Sequence, residues 1–272
     1  MNVASNPVLA RLVQRDRWPS LRMVLWIAFG LGLASLTVAT VTILRMGPDL
    51  SGNTGLFLWI ASWLITALAP PLVGVTALLF VDRDVRNGVF ELLRLTLVSE
   101  KALVWGYALA ALYRWRIFLT LVVGVMPVLV VGMLQTHIIT MALVYQILPP
   151  MGLGGYQGGF PRDVDVQRAI VDAIALEATA VGMWGMNGLA AVLGVGLGYR
   201  FRDRIWIVVT FLTLLLATLA FPLFLFVSAE WSRFALAPVA MALPYVLTCL
   251  GARWVAASEP GRLTDISLWM LG

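Results

Sequence analysis

Residues 205–229 read IWIVVTFLTLLLATLAFPLFLFVSA, a run of 25 residues without a charged side chain. An α-helix needs about 20 predominantly apolar residues to cross the ~30 Å hydrocarbon core of a bilayer. Backbone polar groups inside lipid must be satisfied within their own segment, and a helix does this. The stretch therefore predicts a transmembrane helix and, with it, an all-α protein embedded in a membrane.

Five further stretches are long enough to span a bilayer and also lack Asp, Glu, Lys and Arg. They are 23–44, 56–80, 117–134, 178–199 and 234–252. The composition agrees, because 61% of the 272 residues are hydrophobic and 12% are charged, against roughly 25% charged in a soluble domain. We predict a polytopic membrane protein with a six-helix transmembrane domain over 23–256, an N-terminal segment 1–22 and a tail 257–272.

The basic residues of the connecting segments predict the orientation. Fifteen of the 19 Lys and Arg residues fall in the N-terminal segment, after the second and fourth spans, and in the tail. Because Lys and Arg are enriched on the cytoplasmic side, both termini are predicted to be cytoplasmic, in the cell inner membrane. The charges lie between apolar runs, which favours lipid over nucleic acid as the partner. Those expected at the inner membrane surface are Arg11, Arg15, Arg17, Arg114, Arg116, Arg200, Arg202 and Arg204.

The opposite side of the membrane is predicted to hold an outer loop over 135–167. Within it, the apolar stretch 137–148 is too short to span and is followed by Pro149 and Pro150. We interpret it as a re-entrant or interfacial piece, followed by a glycine-rich loop over 151–161.

Two cytoplasmic segments have the pattern of surface helices. Asn6-Pro7 places an N-cap residue before a proline at the first helical position, and an amphipathic helix follows. This helix can be an anchor that fixes orientation or a lever that responds to a partner. The second segment, 82–100, reads DRDVRNGVFELLRLTLVSE and places Val89, Leu92, Leu93 and Thr96 on one helix face.

A cytoplasmic helical segment is therefore predicted over 81–116, and it leads into a helical pattern over 101–134. That pattern is longer than one crossing, and Arg114 and Arg116 divide it. We expect 101–113 to run along the inner surface. The aromatic residues Trp105, Tyr107, Tyr113 and Trp115 are typical of that interface.

These residues resemble the permease subunits of ABC-type exporters. Such permeases begin with an Asn-Pro-Val-Leu-like surface helix, here Asn6 to Leu9. Between their second and third spans they carry an acidic-basic run, Gly, Glu-Leu-Leu and a Thr-Pro-Leu-Ser-like turn. The counterparts here are 82–86, Gly88, 91–93 and 96–99, with Leu97 in place of the proline.

The resemblance implies that this segment is a coupling helix that docks into a separate ATPase subunit. It also implies a transport pathway between this chain and a second permease copy or a paralogue. The coupling residues would be Asp84, Arg86, Gly88, Glu91, Leu92, Leu93, Arg94 and Thr96, with Leu92 and Leu93 packing toward the membrane helices. The chain has no phosphate-binding Gly-x-x-x-x-Gly-Lys-Ser/Thr loop around its single lysine, Lys101, so ATP hydrolysis must be supplied in trans.

A second hypothesis is a non-transporting accessory or structural subunit of a larger membrane complex, respiratory or photosynthetic. Spans almost free of charge and few polar groups that could line a pathway favour it. Charge reversal of Glu91 and Arg94 separates the two, because only the first hypothesis predicts the loss of an ATPase.

Isolated polar residues are the remaining candidates. Asp172 and Glu177 near the outer start of the fourth span, and Asn187 within it, are candidates for substrate contact or helix packing. Gly185, Gly188, Gly194, Gly196 and Gly198 permit close helix approach there. The spacing of His137 and Cys249, the single residues of their types, predicts no metal site, and we expect neither a catalytic set nor a cofactor.

Overall fold

The computed structural model describes residues 6–13, 20–95, 99–128, 162–201, 205–226 and 230–257, and all regular structure in these ranges is helical. The predicted all-α class is therefore confirmed for this part of the chain. The helices are α1 (Pro7–Val13), α2 (Leu21–Arg86), α3 (Val89–Leu95), α4 (Glu100–Arg114), α5 (Arg116–Val128), α6 (Arg162–Arg200), α7 (Ile205–Phe226) and α8 (Glu230–Ala257).

Three helical stretches in the described ranges are long and apolar enough to cross a membrane. They are Ile60–Arg86 in α2, Ala178–Arg200 in α6 and Leu236–Ala257 in α8. Helices α4 and α5 together would form a fourth such stretch, but their axes are bent by 69° relative to each other at Trp115. The helix therefore divides at the Arg114 and Arg116 pair, as the sequence predicts. Arg22–Val38 and Ile205–Phe221 are apolar but shorter.

Helix α2 contains the first two predicted spans and is strongly bent between them. Ser35 Oγ donates to the Gly124 carbonyl oxygen at 2.7 Å, and Trp115 Nε1 donates to Thr76 Oγ1 at 2.7 Å. Trp115 and Gly124 are nine positions apart, a rise of about 14 Å, whereas 41 positions of straight helix from Ser35 to Thr76 would measure about 61 Å. Both hydrogen bonds can form only if α2 is strongly bent between those two residues. The backbone of the connecting segment 45–55 is helical.

Helix α6 is the centre of the packing, and glycines bring its neighbours close. A Cβ added at Gly194 would overlap the Gly74 carbonyl oxygen of α2. On the other flank, a Cβ at Gly182 would stand 2.5 Å from the Ala240 carbonyl oxygen of α8, and one at Gly185 would stand 2.7 Å from the Tyr245 ring. The close helix approach predicted for the fourth span is confirmed, with two backbones meeting it from opposite sides.

Some predicted features lie outside the described residues, namely the pieces 137–148 and 151–161. Helix α6 begins at Arg162, inside the stretch predicted as outer loop.

We expect Gly194→Ala to destabilise the protein by about 1–3 kcal/mol, the usual cost of overfilling a packed site. The added methyl group meets a backbone carbonyl, which cannot move aside without separating α2 from α6. Gly30→Ala is the matched control, because nothing lies within 4 Å of a Cβ built there. Thermal unfolding in detergent should show a lowered midpoint for the first variant only, and equal midpoints would contradict the packing described.

Candidate functional site

The turn between α2 and α3 depends on one glycine. Asn87 N donates to the Arg83 carbonyl at 3.0 Å and Gly88 N to the Val85 carbonyl at 3.2 Å, which ends α2. Gly88 has φ of 70°, a left-handed conformation that glycine adopts without steric cost. The turn lets α3 leave at once in a new direction, so Gly88 of the predicted coupling segment has a clear structural role.

Helix α3 is fixed to the protein through Phe90. Its side chain is buried, and its ring lies 5.0 Å from the Tyr199 ring at the end of α6. Leu93, one turn later, packs against the same core, whereas Leu92 and Leu95 are 63% and 84% exposed. The expectation that Leu92 packs inward is wrong, because Phe90 and Leu93 form the inward pair and rotate Leu92 outward.

The surface helix α1 is held against α4 by the side chain of Asn6. Its Oδ1 accepts from Val8 N at 3.0 Å and Leu9 N at 3.2 Å, which confirms the predicted N-cap. Its Nδ2 donates to the Ala102 carbonyl at 2.7 Å. Gly106 makes the approach possible, since a Cβ there would lie 2.7 Å from Asn6 Oδ1 and 2.8 Å from Val8 Cβ.

A buried carboxylate joins α1, α2 and α4. Asp84 is 4% exposed, and its Oδ2 accepts hydrogen bonds from Arg11 on α1 and from Tyr107 Oη on α4, the latter at 2.7 Å. Burial, followed by the hydrogen bond to Asp84, raises the pKa of the Tyr107 phenol above its ordinary value of about 10. The phenol therefore stays protonated and donates. Asp84 faces inward, where it links three helices.

The other basic residues lie in different environments, some exposed and some packed against aromatic rings. Arg86 pairs with Asp82 at 2.8 Å on the exposed side of α2. Arg116 is buried, with its guanidinium 4.0 Å from the Tyr113 ring centre, and Arg200 lies 4.3 Å from the Trp254 ring centre on α8. These two arginines therefore hold helix ends together through cation–π contacts. Arg114 is exposed.

Asn187 is buried within α6, and its Nδ2 donates to the Trp184 carbonyl at 2.9 Å. Its amide therefore bonds within its own helix, although the sequence suggests a bond between helices. Among the described residues its Oδ1 has no partner. The backbone at Glu91, Arg94, Asp172 and Glu177 is helical, but their side chains lie outside the described part, as do Thr96, Arg15, Arg17, Arg202 and Arg204 entirely.

The sequence pattern does not indicate the roles of two contributors to this site, Tyr107 and Gly106. Tyr107 was predicted as an interfacial aromatic, but it is fully buried. The sequence offers only a local indication of these roles. On α4, the one glycine of the helix, Gly106, is followed by Tyr107, an aromatic residue that carries a hydroxyl group. Neither position indicates its partner, because Asp84 and Asn6 are distant in sequence.

The described helices define an all-α protein with at least three long apolar helices, as in a multi-pass membrane protein. Within the described ranges, no group of three or more His, Cys, Asp or Glu side chains could hold a metal ion. Compared with protein-family models, curated proteins and solved structures, the chain matches none of them.

We expect Asp84→Ala to destabilise the protein by about 1–3 kcal/mol, the cost of leaving a buried donor without its acceptor. Here that donor is the Tyr107 hydroxyl. Loss of the ion pair should also release α1, so trypsin should cleave faster at Arg11. Asp82→Ala is the control, since it removes an exposed pair worth roughly 0–1 kcal/mol. Equal effects of the two substitutions would contradict the linking role of Asp84.

The raised pKa of Tyr107 predicts a pH dependence. Its contribution to stability is fully present below about pH 10 and is lost as pH rises further, because the unfolded phenol ionises while the folded one keeps its proton. The Tyr107→Phe variant has no ionisable group at this position, so its stability has no such contribution from residue 107. The difference in unfolding midpoint between wild type and this variant should therefore shrink above about pH 10. A difference that stays constant with pH would be the contrary result.

Proposed function

We propose that this chain is the membrane-spanning permease subunit of an ABC-type exporter, and that α3 is where a separate ATPase subunit docks. The observation that carries the proposal is the orientation of α3. It is fixed through Phe90, yet Leu92 in its middle and Leu95 at its last position are 63% and 84% exposed. Exposed apolar side chains on an anchored helix are suited to a groove on a partner, in the manner of helix-in-groove recognition.

The proposed threading has six spans with both termini in the cytoplasm. On this threading α1, α3 and α4 share the cytoplasmic side, because the basic segments 1–22 and 81–116 are both inside. The ATPase would then meet α3 from the side on which ATP is available. A second permease copy or a paralogue completes the transport pathway.

The contacts around α3 provide a route for the ATPase to act on the spans. The ring contact of Phe90 with Tyr199 connects α3 to α6, and the Gly88 turn connects it to α2. Asp84, four residues before that turn, connects α2 to α1 and α4. An ATPase that binds one position of α3 more tightly than another shifts the equilibrium between two arrangements of these helices.

The test is Leu92→Glu with Leu95→Glu in the full chain. Both side chains are exposed, so the fold should be unchanged, while each carboxylate introduced would be buried unpaired in an apolar groove, at a cost of several kcal/mol. We expect a complex purified from native membranes to lose its ATPase subunit and its ATP hydrolysis. Subunits are identified by mass spectrometry, and hydrolysis is measured on the same sample.

Arg253→Glu is the matched control, since it places a carboxylate at another exposed position, on α8. Charge reversal of Glu91 and Arg94 should behave like the leucine variant. If the wild-type complex contains no ATPase and the leucine variant assembles normally, the exporter proposal fails. In that case the non-transporting subunit becomes the better account.

A further inference from the structure

A cleft of about 750 Å³ lies between α1, the end of α2, the start of α3 and the end of α4. Its charged lining consists of Arg11, Arg83 and Arg114 against the single carboxylate of Asp84, a net charge of +2. Arg83 and Arg114 are exposed, so the cleft is open to ligands from outside the protein.

The one carboxylate in the cleft is already engaged. Asp84 accepts hydrogen bonds from Arg11 and from the Tyr107 hydroxyl. Arg83 makes no ion pair with any carboxylate in the described part of the chain. The charge of Arg83 is therefore not neutralised by any carboxylate of the described residues. Guanidinium groups bind phosphate through paired, charge-assisted hydrogen bonds.

The remaining lining is apolar and favours a lipid over a free ion. Leu12, Phe80 and Val89 are each half-buried and contribute to the same cleft. A phosphate ion gains nothing from apolar walls, whereas a phospholipid presents glycerol and acyl carbons next to its phosphate. The volume falls in the range of sites for molecules of drug size, about 300–1,000 Å³, which is more than an inorganic anion needs.

We propose that this cleft binds the headgroup of an anionic phospholipid, with the phosphate between the arginines and the glycerol end against Phe80. On the threading proposed above, Phe80 is the last residue of the second span, so that the cleft would lie at headgroup depth. A phosphate bound there bridges α1, α2 and α4 and holds the surface helix against the domain. This site does not depend on docking of an ATPase.

The test is lipid titration of the detergent-purified full chain, followed by native mass spectrometry. Phosphatidylglycerol should bind in preference to phosphatidylcholine. Arg83→Gln with Arg114→Gln should weaken the first phosphatidylglycerol by about 25-fold, or about fivefold per arginine, since each basic residue near anionic lipid contributes about 1 kcal/mol. Arg83→Gln alone should give about fivefold, which keeps the test valid if the double variant folds poorly.

Arg86→Gln is the matched control: it makes the same change three residues from Arg83, outside the cleft, where Arg86 pairs with Asp82. It should bind phosphatidylglycerol like wild type. Equal affinity in Arg83→Gln and wild type, or equal binding of phosphatidylcholine, would overturn the proposal. Displacement of the lipid by millimolar inorganic phosphate or glycerol 3-phosphate would identify a soluble anion as the ligand and overturn it as well.

Discussion

Two backbones approach each other closely at Gly74 of α2 and Gly194 of α6, where a Cβ on Gly194 would overlap the Gly74 carbonyl oxygen, and the rest of the arrangement depends on this approach. In lipid there is no hydrophobic driving force between helices, so helix association relies on close packing and on hydrogen bonds. Glycine permits close packing and close approach of backbone polar groups, because it has no side chain to keep the two helix axes apart. Helix α6 repeats the device toward α8 at Gly182 and Gly185. Its two flanks therefore hold the long apolar helices at short distance.

At the ends of the long apolar helices, hydrogen bonds and an ion pair between polar groups hold the helices together instead. The Asp84 carboxylate accepts hydrogen bonds from the Arg11 guanidinium of α1 and from the Tyr107 hydroxyl of α4. The Asn6 amide caps its own helix and donates a hydrogen bond to the Ala102 carbonyl oxygen. Such buried groups are costly unless every partner is present. Helices α1 and α4 are thus positioned by a few specific bonds, whereas the long apolar helices are positioned by shape.

The sequence was sufficient for what local pattern controls. Charge-free stretches predicted the long helices, Asn6-Pro7 predicted the start of α1, and the Arg114 and Arg116 pair predicted where α4 and α5 divide. It failed for the inward face of α3, because the helical pattern through Val89, Leu92 and Leu93 leaves out Phe90. Only the Tyr199 ring, more than 100 positions later, decides which side chain turns inward. The partners of Asn6 and Asp84 are 23, 73 and 96 positions away, and helical periodicity carries no information on them.

The hydrogen bond from Asn6 to Ala102 has a consequence for biogenesis. Its two ends are 96 positions apart, so the amino-terminal helix cannot reach its seat until the ribosome has made the first turns of α4. At roughly 5–20 residues per second, that delay lasts on the order of 5–20 s. Until Asp84 and Ala102 have been made, the amphipathic character of the nascent helix is what can keep it at the membrane surface. The apolar side of this seven-residue helix would then act before the protein has folded.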